Sequence, residues 1–304
     1  MDTSLKNALK KAQRKQLLKI IITSILVVII LIPIIYKVGN YFAAKGSMRL
    51  HEQLFLYNSI AEPNVQIDSQ VTSSSSMFGG NITSNRSKNI NGYVVKWNTL
   101  TSPYNWFRSN INYNEVIPGT HWGRSNTESY NYDKQTKNKV ATFYNPAIKE
   151  YYDGVKNELS AVSKMENYVA EVAISFDQPY TLKEIQTKIP DNLNIVWLYM
   201  VSPIRDESGG PAGMPVYGFE PGTPLEESYK GFFDSLKQYN DGYDKDIQKF
   251  LKSNENKPFD QVKILGVMLT GKTENFKALE NQNFIRGASV GVTAQIVPYI
   301  KPEK

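Results

Sequence analysis

The chain of 304 residues contains no cysteine. That absence excludes disulfide stapling, thiol nucleophiles, thiolate metal sites and a lipid-modified cysteine beside an N-terminal apolar stretch. Histidine is nearly absent too, with only His51 and His121. A catalytic zinc site usually takes three protein ligands, so these two would need a carboxylate and a fold that joins them. Ordinary surface or loop roles are the simpler reading. Charge of one sign is scarce outside the first nineteen residues. These carry Lys6, Lys10, Lys11, Arg14, Lys15 and Lys19 against Asp2, leaving 29 basic and 28 acidic groups in the rest of a chain whose formal charge is +6. The basic balance is therefore a membrane-flanking effect and predicts no direct nucleic-acid partner. A catalytic constellation is missing as well. Asp177, Asp206, Glu207 and Glu220 fall near strand ends, but nothing pairs them with a nucleophile or second acid, and turn or cap roles are expected. No cofactor is predicted, and the chain reads as a non-enzyme.

One segment imitates a nucleotide site. Gly266 to Thr273 satisfies the pattern G-x-x-x-x-G-K-T literally. Its intervening Val-Met-Leu-Thr is apolar and β-prone, so it extends a strand instead of wrapping phosphates with free N–H groups.

What the sequence does have is a greasy rod near its start. Residues 20–35 hold thirteen aliphatic side chains among sixteen, interrupted only by Thr23, Ser24 and Pro33, and carry no charge. With Tyr36 the run is roughly 25 Å of helix at about 1.5 Å per residue, and the flanking Lys19 and Lys37 can snorkel to complete a crossing. The lysine-rich N-terminal flank puts that end in the cytoplasm and the rest of the chain outside, by the positive-inside bias. An uncleaved single-pass anchor fits better than a signal peptide, because the apolar region exceeds the usual length and the small-residue site near its exit, Ala43-Ala44, has bulky Tyr41 or Phe42 three positions before the cut.

Four regions follow: a basic cytoplasmic tail (1–19), a transmembrane helix (20–38), a β-rich membrane-proximal region (39–165) and an α+β domain (166–304). After the span, Leu50, Leu54 and Tyr57 predict a short helix over 42–60, ended by Pro63. Residues 65–145 read as loop-rich β structure, with a good strand at 93–97, polar gap-filling sequence at 73–87, and two strands around a turn at 130–144. Asn145-Pro146 predicts a helix to about residue 163. Strands are expected at 169–176, 194–201, 262–270 and 285–297. Capping boxes are expected at Thr181 and Thr223, and Thr273 is expected to cap a third helix. The long amphipathic segment from Tyr229 to Phe250 reads as a helical insertion between two β-α-β units. The outline is ferredoxin-like.

Two surfaces are candidates for partners. Leu5 and Leu9 form one side of the tail, with Lys10, Lys11 and Arg14 around the rest. This suits an interfacial helix on anionic membrane lipid, an orientation signal, or a docking peptide for a cytoplasmic partner. Tyr104, Trp106, Phe107 and Trp122 crowd a polar region, either as large residues of a small β core or as a stacking shelf for a cell-wall glycan or peptide ligand.

The order of several segments resembles the sigma factor regulator family of Bacillus-like bacteria. The segments are LKKAQRKQLLKIII (9–22), IAEPNVQI (60–67), YDKQTKNKVATFYNP (132–146), VAEVAISFDQPYTLKEI (169–185), VWLYMV (196–201) with YGFEP (217–221), and ILGVMLTGKTENFKALENQNFIRGASVGVT (264–293). The resemblance implies an anti-sigma-type membrane protein. Its outer domain would sense envelope stress, and its inner end would help hold an extracytoplasmic-function sigma factor inactive, a role in transcription regulation. The family resemblance supplies no catalytic residues. A nineteen-residue tail is about 28 Å long even if wholly helical, too short to cover both polymerase-binding domains of a sigma factor. A partner membrane protein or a short helical peptide contact would supply the inner contact.

Overall fold

The computed structural model describes residues 3–109, 111, 120–124, 129–151, 154–203, 216–240, 242 and 244–304. The chain opens on one helix, α1 (Thr3–Ala61), 59 residues long with Pro33 inside it. The short helix expected over 42–60 is not a separate element. Nothing in residues 37–41 breaks the backbone ladder, so tail, apolar run and membrane-proximal segment are one rod. It stops where Pro63 disfavours helical geometry at the residue before it, and Asn64 turns the chain with φ 54°. Among the described residues α1 alone is long and apolar enough to cross a membrane, and its most apolar window is unburied.

The chain then forms β1 (Gln66–Ser76), β2 (Gly79–Ile90), β3 (Tyr93–Lys96) and β4 (Leu100–Asn105). β2 is the spine of this antiparallel sheet. One edge pairs with β1; the other pairs with β4 over residues 79–84 and with β3 over 87–90. The Ser/Asn-rich stretch at 73–87, expected as gap filler, is therefore a long hairpin turning at Met77 and Phe78. Serine and asparagine have low strand propensity, and here the ladder and helix packing override it. β5 (Thr120–Arg124) and β6 (Ser129–Asp133) make a separate two-stranded ribbon. The second strand predicted at 130–144 shrinks to an isolated bridge between Tyr132 and Lys139.

The helix expected from Asn145 does not form. Residues 145–151 stay irregular, and among the described residues only α2 (Leu159–Val162) is helical between there and the next strand. Arg286 holds the irregular segment in place: its Nη1 and Nη2 donate to the carbonyls of Asn145 and Lys149 at 2.7 and 2.8 Å, and the Asn145 carbonyl also accepts from Ile148 N at 3.1 Å. Ile148 and Tyr151 are buried instead in a cluster with Tyr144.

The C-terminal part contains β7 (Tyr168–Tyr180), α3 (Leu182–Lys188), β8 (Asn194–Val201), β9 (Tyr217–Phe219), α4 (Leu225–Tyr239), α5 (Lys245–Asn254), β10 (Ile264–Lys272) and β11 (Ile285–Gln295). The fold is α+β. Its five-stranded sheet runs β11-β7-β10-β8-β9, and all neighbours are antiparallel. α3 connects β7 to β8 across β10, and a 3-10 helix (Thr273–Leu279) connects β10 to β11 across β7.

Strand alternation splits β7 cleanly. Ala170, Val172, Ile174 and Phe176 face the main core with Ile185, Phe232, Ile247 and Phe276. Val169 and Ala173 face the opposite way, toward Trp97 and Phe143. Both faces of the sheet are covered, one by helices and one by residues from the 65–143 part of the chain.

The capping box at Thr181 is present: its hydroxyl accepts from Glu184 N while the Glu184 carboxylate accepts from Thr181 N. The two other predicted threonine caps are not formed. Pro224 occupies the N-cap of α4 with no side-chain bond. Thr273 is buried, and its hydroxyl donates between the carbonyls of Met165 and Tyr168, at 2.6 and 3.0 Å. The nucleotide-loop look-alike is β10 itself, as its apolar interior requires.

Candidate functional site

The functional geometry is organised along α1, starting from its free end. Leu5 and Leu9 are four residues apart, on one helix face, and both are exposed. Lys10, Lys11 and Arg14 are exposed around them. Every residue of the rod from Thr3 to Val38 is exposed, including the whole aliphatic run.

Beyond the run, α1 becomes a packing element. Gly39, Ala43, Gly46, Leu50 and Leu54 are buried at spacings of four and three, one stripe on the rod. Small residues come first because the hairpin approaches most closely there. A Cβ on Gly39 would lie 3.0 Å from the Met77 carbonyl oxygen, and one on Gly46 only 2.6 Å from that of Asn105. Larger side chains follow as the sheet recedes, and Leu50 and Leu54 form a core with Ile82 and Tyr104. The last turn enters the C-terminal domain, where Ile60 and Ala61 join the main core and Tyr57 packs on Tyr239 at 5.8 Å.

Directly after the helix the two halves of the chain are joined by a buried ion pair. Lys88 Nζ on β2 donates to both oxygens of Glu171 on β7, at 2.8 and 3.0 Å, and both side chains are almost wholly buried. Asn64 Nδ2 donates to Glu171 Oε2 at 2.8 Å and to the Asn89 carbonyl at 3.0 Å, so the turn ending α1 holds both partners' strands. The Lys88 ammonium also lies 4.5 Å from the Trp97 ring centroid. Gly291 on β11 leaves room for the carboxylate, since a Cβ there would collide with Oε1. Nearby, burial and then the Glu171 charge push the Tyr199 phenol well above its ordinary range. A second polar chain runs alongside: Arg86 pairs with Glu62 at 3.3 Å and bonds Asn98, which donates to Asp133 at 2.7 Å.

The aromatic candidates separate. Tyr104 is a core residue. Trp106 is half-buried and donates its indole N–H to the Met77 carbonyl at 2.6 Å, tying β4's end to the hairpin tip. Its ring meets Phe42, Phe78 and Phe107 at centroid distances of 5.9, 5.8 and 6.2 Å. Trp122 pairs with Asn131 across the β5–β6 ribbon, and its side chain lies outside the described residues. Asp206 and Glu207 also lie outside them, and Glu220 is exposed just after β9. His51 sits 2.5 Å from Gln70 through Nδ1 and Oε1, an inter-element bond between α1 and β1. Asp177 accepts from the Tyr180 hydroxyl at 2.7 Å within β7.

Sequence reasoning passed over Glu171 and Lys88. The legible signal was a single carboxylate in the otherwise apolar strand expected at 169–176, between Val169 and Ala173. Such a residue reads as a solvated edge until a second sheet is known to cover that face.

Two family models match the chain. One, described as Sigma factor regulator N-terminal, covers residues 6–95 and so includes most of α1 and β1 through β3. The other, described as Sigma factor regulator C-terminal, covers residues 159–292 and so includes nearly all of the five-stranded sheet. No curated protein and no solved structure matches. Lys88 falls in the first region and Glu171 in the second, so the buried pair bridges the two.

Proposed function

Because the chain belongs to the sigma factor regulator family, we propose that it is a membrane-anchored regulator of an extracytoplasmic-function sigma factor, anti-sigma-like or accessory to such a protein. Residues 20–38 cross the membrane once, with the basic tail inside and the two sheets outside, as the lysine asymmetry favours. The tail's Leu5 and Leu9, with Lys10, Lys11 and Arg14, meet a sigma factor or a partner membrane protein of an anti-sigma complex, and the lysines also meet anionic lipid. The protein works by association, without catalysis.

The observation that carries this reading is the continuity of α1. A helix of 59 residues is about 88 Å long at about 1.5 Å per residue. One end bears the exposed tail, and the other is built into both folded regions through Leu50, Leu54 and Ile60. Strain or ligand binding that shifts one sheet against the other, across the Lys88–Glu171 pair, tilts or turns a rod that reaches the far side of the bilayer.

Deleting the gene should raise expression of one sigma-dependent promoter set. The same set should rise when Leu5→Ala and Leu9→Ala are combined in a chain that still accumulates in the membrane. A transcriptome unchanged by deletion under several envelope stresses would refute the regulatory reading. The envelope-ligand alternative centred on Trp106 is less well supported, because that indole spends its N–H on Met77 and most of its ring on neighbouring phenylalanines.

A further inference from the structure

The exposed aromatics are not scattered. Phe78 at the hairpin tip is 61% exposed and Phe107 after β4 is 81% exposed, and both pack against the ring of Trp106. Phe42 on α1 completes the group, and Tyr41 lies edge-on to it at 5.6 Å. Five aromatic side chains from three separate parts of the chain thus form one outward-facing collar. For a water-facing surface this is unfavourable, since each ring leaves apolar area unburied.

Their level along the rod decides what covers them. Met77 touches α1 at Gly39, three residues past Tyr36, a rise of about 4.5 Å. The hairpin tip therefore stands at the height where an apolar helix leaves the hydrocarbon core and meets the headgroups, and the end of β4, where Asn105 meets Gly46, stands about 10 Å higher along the rod. Tyr41 is suited to that layer, with an apolar body and a polar tip, and Phe to the acyl boundary just beneath it. Lys37 is exposed at that level and Lys45, Arg49 and Arg108 are exposed above it, and Arg49 donates to the Trp106 carbonyl at 3.3 Å. Cations interleaved with rings match a phosphate layer lying above acyl chains.

We infer that the β1–β2 hairpin tip and the segment after β4 form a second, non-helical membrane contact. In it, Phe78 and Phe107 insert into the outer headgroup and acyl boundary beside the span, with Trp106 as the ring that backs them. The contact rests on the reading of residues 20–38 as a membrane anchor. It fixes the tilt of the folded domain against the bilayer, so that lipid packing and surface charge bear directly on the helix.

The absence of native cysteine makes the test clean. Single nitroxide labels are placed on the full chain through Ile25→Cys, Phe78→Cys, Phe107→Cys and Val94→Cys. The variants are reconstituted in phosphatidylglycerol and phosphatidylethanolamine vesicles and read by collision with oxygen and with a water-soluble nickel chelate. Val94 is the aqueous control: it is 74% exposed and pairs with Asn89, ten residues along β2 from Gly79 at the tip, roughly 33 Å away. The expected result is an oxygen-to-nickel ratio highest at position 25, several-fold above position 94 at both 78 and 107, and low at 94. A lipid-like ratio at 25 with water-like ratios at 78 and 107 overturns the collar and leaves the anchor standing. A water-like ratio at 25 overturns the anchor, and the collar with it. Labels at 78 and 107 shielded from both reagents indicate a protein partner and overturn the lipid assignment.

Discussion

At the residue scale the Lys88–Glu171 pair is the most consequential contact, because it buries both charges away from any solvent that could replace a lost partner. Lys88→Met leaves Glu171 with only Asn64 as a side-chain donor among the described residues, and a broken buried pair typically costs about 3–5 kcal/mol. Denaturant unfolding in detergent should show a loss of that size. Combining it with Glu171→Leu should recover most of the loss, since an apolar replacement of both partners removes the stranded charge. If the double variant is as unstable as the single one, the pair is not what holds the seam.

Thr270 offers the opposite case. Its hydroxyl is buried in β10 with no partner among the described residues. Thr270→Val keeps the shape and removes an unsatisfied group, so it should raise stability by roughly 1 kcal/mol. A loss of stability on the same measurement would reveal a hydrogen bond at that hydroxyl.

At the element scale, local signals and packing contend. The Thr181 box formed because it is complete within four residues. Two bonds from Thr181, then one from Lys263, hold the Glu184 carboxyl well below the ordinary glutamate range, at about 2. A depressed carboxyl contributes stability above its unfolded value and loses it as pH falls through the folded one. An NMR titration should therefore place the Glu184 midpoint at about 2, and Thr181→Val should move it upward. A wild-type midpoint in the normal range would mean that the box is open in solution.

The box expected at Thr223, the cap at Thr273 and the helix at Asn145 rested on similar letters and did not form. Thr273 was claimed by the carbonyls of Met165 and Tyr168, and the Asn145 and Lys149 carbonyls by Arg286. Each of these competitors is more than 100 positions away, and no window of local sequence contains it. The stripe on α1 shows the same limit. Gly39 and Gly46 look like weak points of a helix, costing up to about 1 kcal/mol each against alanine. The structure makes them contact points. Gly46→Leu should cost about 1–3 kcal/mol by overpacking against Asn105, despite the better helix former, as the same unfolding measurement would show.

At the scale of the whole molecule, the proposed regulation depends on the rod's continuity. Ala44 is exposed on the stretch of α1 whose other face packs on the first sheet through Ala43 and Gly46, so Ala44→Pro should interrupt the ladder and shift the rod against that sheet. A proline inside a helix costs about 3 kcal/mol and kinks it. We expect the variant to remain in the membrane fraction while the sigma-dependent promoters lose their response to envelope stress. A response equal to that of the unaltered chain would mean that the signal does not travel through the helix.

What the sequence by itself determined is whatever a run of neighbours can decide: the apolar rod, its charge asymmetry, four of the five strands of the C-terminal sheet, and the box at Thr181. These depend on periodicity and on contacts a few residues apart, and the physics of each is complete within a short window. Only the tertiary structure decided that α1 is a single helix through to Ala61, that the Ser/Asn-rich stretch is a paired hairpin, that Glu171 is sealed against Lys88, and that Phe42, Phe78, Trp106 and Phe107 share one surface. Most of those facts join groups distant in the chain, and it is the burial and pairing gained on bringing them together that overrides local preference.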